Sequence, residues 1–259
     1  MLLQDKIAVI YGAAGAVGGT AARTFAKEGA YVFLVGRTDA SLQRVAEQIR
    51  ATGGRAEVAV VDAFDPATID AHLAKVVAAT GRIDISLNAT HPGAVMGIPL
   101  REMTVDDFTR SALDALRLNF STGVAAARRM TEAGSGVILT MSTSTSVLSG
   151  RDRRFHTSGG FGPACAAVEE FSRGLAGEVG PHGVRVVCLR PDALPETWGS
   201  IDEGPVADSY RYMTDGTALG RMPTLQEVAD AAAFVASDRA SAMTGTIVNL
   251  TCGSVMNAN

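Results

Sequence analysis

The sequence predicts a single-domain α/β fold, a doubly wound parallel sheet of about seven strands flanked by helices. Two observations carry this expectation. Seven short apolar runs recur along the chain, and helix-length segments separate them. The runs also lack polar alternation, which is the pattern of strands buried on both faces of a parallel sheet.

Strands are expected at residues 7–10, 31–35, 58–61, 83–87, 137–141, 184–189 and 246–250. Helices are expected between them, among others at 18–28, 40–51, 66–80 and 164–179. The third of these opens on Asp65-Pro66, an N-cap residue followed by proline at the first helical position, where its missing N–H is harmless. Repeated strand–helix–strand units with right-handed crossovers put helices on both faces of one sheet. No repeat, low-complexity tract or linker divides residues 1–259. The segment at about 192–217 is richer in Pro, Gly and polar residues and carries Trp198, Tyr210 and Tyr212, so it is expected to be lid-like.

Composition excludes several classes. With 47% hydrophobic residues the chain can bury a large core, and its net charge of −4 offers no basic surface for nucleic acid or anionic membrane. No secretory-type leader opens the chain, and no apolar run approaches the roughly 18 residues a membrane span requires. Cys165, Cys188 and Cys252 are too few and too scattered for a disulfide framework and suit a reducing cytoplasm. No metal site is expected. Lysine occurs only at Lys6, Lys27 and Lys75.

The first strand runs directly into Tyr11-Gly12-Ala13-Ala14-Gly15-Ala16-Val17-Gly18-Gly19 and then a helix. Glycines let the chain turn tightly and bring backbone N–H groups against a pyrophosphate, and the helix N-terminus adds positive potential. In this position the motif indicates a Rossmann-type dinucleotide site built on Gly12, Gly15, Val17 and Gly18. After the second strand comes Gly36-Arg37-Thr38. No acidic residue ends that strand to hold a ribose 2′-hydroxyl, and Arg37 suits a 2′-phosphate. NADP(H) is therefore the preferred cofactor, with NAD(H) as the alternative.

These features resemble the short-chain dehydrogenase/reductase family over nearly the whole chain. Gly12, Gly15 and Gly18 match the Gly-x-x-Gly-x-x-Gly spacing of its extended and atypical members, while Tyr11 and Ala16 depart from the usual loop. Asp62 and Ala63 resemble the adenine contact, Asn88 the retained residue of the family's Asn-Asn-Ala-Gly, and Pro191 the approach to the nicotinamide. Asn119 resembles the asparagine that supports the proton relay, and Thr143 stands at the substrate-steadying Ser position. The resemblance implies a homodimer or homotetramer paired through the helix carrying Asn119 and the helix after the active-site motif.

The family's acid–base pair is not found. Aligning Ala166-Ala167-Val168 with the family motif leaves Cys165 at the Lys position and Phe161 at the Tyr position. No lysine follows Lys75, so no shift of alignment recovers the pair. Eighteen positions separate Thr143 from Phe161, more than is usual in the family, and the extra residues fall at 150–157. This insertion carries His156, whose ordinary pKa suits acid–base work, and three arginines. His91 stands where the Asn-Asn-Ala-Gly motif would end. Both histidines are candidate replacement acids, Tyr210 and Tyr212 are candidates from the lid, and Cys165 is expected in the first turn of its helix as a packing residue.

The expected function is NADP(H)-dependent oxidoreduction of a small carbonyl, enone or quinone-like substrate with nonstandard proton delivery. Two alternatives stay open. One is a catalytically silent nucleotide-binding sensor or scaffold subunit, and the other a non-redox dehydratase, cyclase or isomerase on the same fold.

Overall fold

The computed structural model describes residues 1–148, 157–198 and 203–256. Seven strands form one sheet: β1 Ile7–Tyr11, β2 Tyr31–Gly36, β3 Arg55–Val60, β4 Ile85–Asn88, β5 Gly136–Met141, β6 Val184–Pro191 and β7 Thr246–Leu250. Their order is β3-β2-β1-β4-β5-β6-β7, and every pairing is parallel. Among the described residues eight α-helices accompany them: α1 Ala16–Lys27, α2 Asp39–Ala51, α3 Pro66–Thr80, α4 Val105–Ala133, α5 Thr145–Leu148, α6 Phe161–Val179, α7 Gly204–Asp215 and α8 Leu225–Ala236.

Alternation along the strands explains the two-sided burial. In β1, Ala8 and Ile10 enter a core shared with α1, α2 and α8, while Ile7, Val9 and Tyr11 enter a second core shared with α3, α4 and α6. Side chains at i and i+2 share a face, so an unbroken apolar run fills both cores. Only the interior strands satisfy this fully. The edge strand β3 alternates, with Arg55 and Glu57 exposed, and all five residues of β7 are only half-buried.

Element boundaries differ from expectation in ways the chain explains. β3 begins at Arg55, three residues early, because a polar edge strand carries no continuous apolar signal. β4 starts and ends later than its apolar run, at Ile85–Asn88. α3 keeps its expected bounds, and the Asp65 carboxylate accepts the N–H of Ala67 and of Thr68. α6 begins at Phe161, so Cys165 lies in its second turn and not its first. Within the segment from 192 to 217, α7 occupies Gly204–Asp215.

Candidate active site

The strand order reverses between β1 and β4, and parallel sheets open a crevice at such a point beyond the strands' carboxyl ends. A cavity of about 500 Å³ lies there. Its walls come from the turn after β1, the loops after β4, β5 and β6, and one face each of α4 and α6.

One end is built from backbone. Gly12 has φ +74°, and a Cβ on it would stand 2.6 Å from the Ala89 carbonyl oxygen. A Cβ on Gly18 would stand 2.3 Å from the Gly12 carbonyl oxygen. The turn is thus closed to side chains at both positions. Gly15 is the N-cap of α1 and supplies no side-chain cap. Within α1 the first N–H bonded back along the chain is that of Gly19, on the Gly15 carbonyl at 2.8 Å. The N–H groups of Ala16, Val17 and Gly18 therefore have no intrahelical acceptor, and no acidic residue occupies the first turn. Gly15, Ala16 and Val17 line the cavity, so the positive end of α1 faces it. This cradle fits a pyrophosphate.

Arg37, Thr38 and Asp62 are exposed beyond the carboxyl ends of β2 and β3, on the same side of the sheet as the glycine turn but outside the cavity. Asp62 accepts the N–H of Phe64 at 3.0 Å, and Ala63 is buried beside it. Asn88 is buried at the end of β4. Its amide donates to Asn119 Oδ1 and Thr122 Oγ1, and its oxygen accepts from the Thr90 N–H and hydroxyl. Asn119 also donates to the Ala115 carbonyl at 2.9 Å. Asn119 and Pro191 line the cavity; Asn88 braces the loop that carries Thr90 and His91.

The other end is built from side chains. Thr143, Phe161, Cys165 and His91 line it together. The Thr143 hydroxyl lies 3.5 Å from Cys165 Sγ and accepts the Thr145 N–H at 3.2 Å. Burial pushes the Cys165 thiol up to about 11, so it stays protonated near neutrality. His91 stacks on Phe161 with ring centroids 5.5 Å apart, and partial burial holds its pKa below the ordinary value. His156 and the three arginines of its insertion lie outside the described residues. Leu194, Thr197 and Trp198 roof the cavity, and Trp198 meets Tyr210 edge-on at 6.5 Å. Tyr212 lines a separate, smaller cavity. Among the described residues no group of three or more His, Cys, Asp or Glu could hold a metal ion.

Two buried polar hubs under this end were not foreseen. Asp192, 3% exposed, accepts from the hydroxyls of Ser144 and Ser254 and from the Ala193 N–H. It ties together the segments that follow β5, β6 and β7. One turn beyond Cys165, Glu169 forms a two-pronged ion pair with Arg190 at 2.7 and 2.5 Å. Ser142 donates to the same carboxylate, and Arg190 donates to Asn249, its register partner on β7. Burial pushes the Glu169 carboxyl up, but its bonds from Arg190 and Ser142 outweigh that and hold it below the ordinary value. The available signal was weak: Glu169 follows Cys165 by four residues on one helix, whereas its partners depend on strand register.

Fold and site together define a doubly wound α/β protein with a glycine turn and open α1 amides at its switch point. Comparison with known proteins narrows this. The family model described as enoyl-(acyl carrier protein) reductase matches residues 12–254. The chain is 30% identical to (5R,7aS)-5-hydroxy-7a-methyl-1-oxo-2,3,5,6,7,7a-hexahydro-1H-indene-carboxyl-CoA reductase of Mycobacterium tuberculosis, covering 97% of this chain and 94% of that one. It is also 30% identical to D-threitol dehydrogenase of Mycolicibacterium smegmatis, over 94% and 90% of the two chains. A short-chain type dehydrogenase/reductase from Mycobacterium marinum superposes with a TM-score of 0.85 at 26% identity, over 98% and 97%. The chain belongs to the short-chain dehydrogenase/reductase family, an oxidoreductase family whose members bind NAD(P) and act on small molecules. Among the described residues no helix is long and apolar enough to cross a membrane.

Proposed function

We propose that this protein is an NADP(H)-dependent reductase that delivers hydride to a small, largely apolar carbonyl, enone or quinone-like acceptor without a phenolic acid. One observation carries the reading: a single cavity has an open phosphate cradle at one end and Phe161, Cys165 and Thr143 at the other. Phe161 and Cys165 hold the family's Tyr and Lys positions, so neither a phenol nor an ammonium stands there.

The cofactor would rest on this chain's own groups. The N–H groups of Ala16, Val17 and Gly18 would hold the pyrophosphate, with Gly12 and Gly15 giving it room. Arg37 and Thr38 would meet the 2′-phosphate, Asp62 and Ala63 the adenine, and Asn88 and Pro191 would shape the nicotinamide half. When bound, NADPH supplies hydride.

The lining sets the acceptor. Beside Thr143, Cys165, His91 and tied Asp192, the walls near Phe161 present Leu118, Ala164, Val168, Leu194 and Trp198. Such walls favour a ring ketone, as in the indene named for the mycobacterial relative, over a polyol such as threitol. In a conjugated acceptor the incoming charge spreads to a distant oxygen, so no acid need protonate the reacting carbon's neighbour at once. Thr143 would hold that oxygen, Asn119 would brace the wall, and the 192–217 segment would act as the lid. His156 remains a second candidate acid. Leu113, Leu116 and Phe120 are exposed on α4, Phe120 lies beside Phe171 of α6, and these residues support pairing as a homodimer or homotetramer through these helices. Three unpaired cysteines suit a cytoplasmic setting.

Fluorescence titration with NADPH and NADH tests the cofactor. NADPH is expected to bind more tightly, and Arg37→Ala to erase roughly 10-fold or more of the difference, the worth of one charge-assisted contact. Binding without oxidation of NADPH by any ketone, enone or quinone would overturn the reductase and favour a sensor or scaffold, the reading that Phe161 and Cys165 otherwise suit. Failure of both nucleotides to bind would favour a non-redox enzyme.

A further inference from the structure

His91 is held in one tautomer by its own loop. Its Nδ1 accepts the N–H of Gly93 at 3.0 Å. A ring nitrogen that accepts carries no proton, so the neutral imidazole carries its proton on Nε2. Gly93 adopts φ +73°, a left-handed conformation that glycine takes freely, which lets the chain turn its amide back onto the ring. Phe161 then fixes the plane of the ring by stacking, 28° from parallel.

The surroundings leave Nε2–H available. Among the described residues no acceptor takes that proton. The other ionisable side chains lining the cavity are Cys165 and Asp192. Cys165 is a thiol engaged with Thr143, and the Asp192 oxygens are occupied by Ser144, Ala193 and Ser254. Partial burial lowers the imidazole's pKa, which keeps it neutral at neutral pH. A neutral imidazole can serve as an electrophile, polarising a carbonyl through its N–H.

Building on the reductase reading, we propose that His91 is a catalytic hydrogen-bond donor of this site beside Thr143, its Nε2–H holding the acceptor oxygen as charge develops there. The electron balance is simple. Hydride brings two electrons to the acceptor carbon, and the carbonyl or conjugated π system shifts an electron pair onto oxygen. Nε2–H stabilises that charge until water supplies the proton, so His91 ends the turnover as it began. Phe161 acts as a positioning residue: in place of a phenol that would donate, it provides a flat surface that aims a different donor.

Two substitutions separate the donor from the stack. His91→Phe keeps a ring against Phe161 but has no N–H, and His91→Gln keeps a donor without the ring. Since His91 lies on an exposed loop, both variants are expected to fold, which circular dichroism checks. His91→Phe should lose on the order of 100- to 1,000-fold in kcat/KM for NADPH-dependent reduction of menadione or cyclohexenone, as removal of an oxyanion donor does, and His91→Gln should retain more activity. NADPH affinity should stay unchanged in both.

A binding readout complements turnover. With NADP+ present, the wild type should bind para-nitrophenol as its phenolate, seen by absorbance, at least about 10-fold more tightly than His91→Phe. Wild-type and His91→Phe values that agree within about 3-fold in both assays would overturn the role of His91 alone. A wild type that binds NADPH yet reduces no acceptor would overturn the reductase reading and His91's role together.

Discussion

The two ends of the cavity are built from different material. At the phosphate end the work falls to backbone: a left-handed Gly12, a Gly18 with no room for Cβ, and three open amides at the start of α1. At the reacting end it falls to side chains: Thr143, Phe161, Cys165 and His91. Backbone groups are supplied by almost any sequence that can make the turn, which is why Tyr11 and Ala16 depart from the family's loop without closing the cradle. Chemistry carried by side chains changes whenever the residue changes. The family's fold is retained, and on the proposed reading its cradle is kept while its acid–base pair is not.

The largest effect should come from filling the turn. Gly18→Val places methyl groups against the Gly12 carbonyl and should weaken NADPH binding by at least about 100-fold in a fluorescence titration, with the far-ultraviolet dichroism of the sheet retained. Unchanged affinity would break the contrast, since it would mean that the amides of α1 are not the phosphate site.

Next is the hub beneath the reacting end. Glu169→Ala leaves Arg190 buried without its carboxylate, and removing one partner of a buried pair is expected to destabilise by about 3 kcal/mol. Urea unfolding measures this. A loss below about 1 kcal/mol would show that β5, β6 and α6 are held mainly by apolar packing.

The smallest effect concerns a histidine away from the cavity. His72 on α3 is buried against Phe33, and its Nε2 has no partner among the described residues. Burial lowers its pKa below 6.5, helped by Lys75 and opposed by Glu57. The unfolded chain therefore takes up the proton first as pH falls through 6.5. Stability should be full above that pH and decline below it until the folded pKa is reached. His72→Leu should flatten the slope of melting temperature against pH in that window; an unaltered slope would assign it to other groups.

The same contrast explains what could be read from the chain. The glycine turn was legible because its glycines, strand and helix are contiguous, and the spacing of Phe161 and Cys165 was legible because they lie one turn apart on a single helix. The Asp192 hub was not, because Ser144 and Ser254 lie 48 and 62 positions away. Arg190 meets Asn249 only because β6 pairs with β7 in one register. The tautomer of His91 depends on a loop turn at Gly93 that periodicity does not encode. β3 was misjudged for a related reason: whether a strand is an edge is a property of the sheet and not of the run.

The most direct test of the account follows deuterium from NADPH labelled at the transferable hydrogen into an enone or quinone acceptor, with the product analysed by mass spectrometry. The account predicts a product carrying one deuterium from the cofactor, formed by wild-type protein with Phe161 and Cys165 in place. NADPH bound at the cradle, with no label in any acceptor, would contradict it.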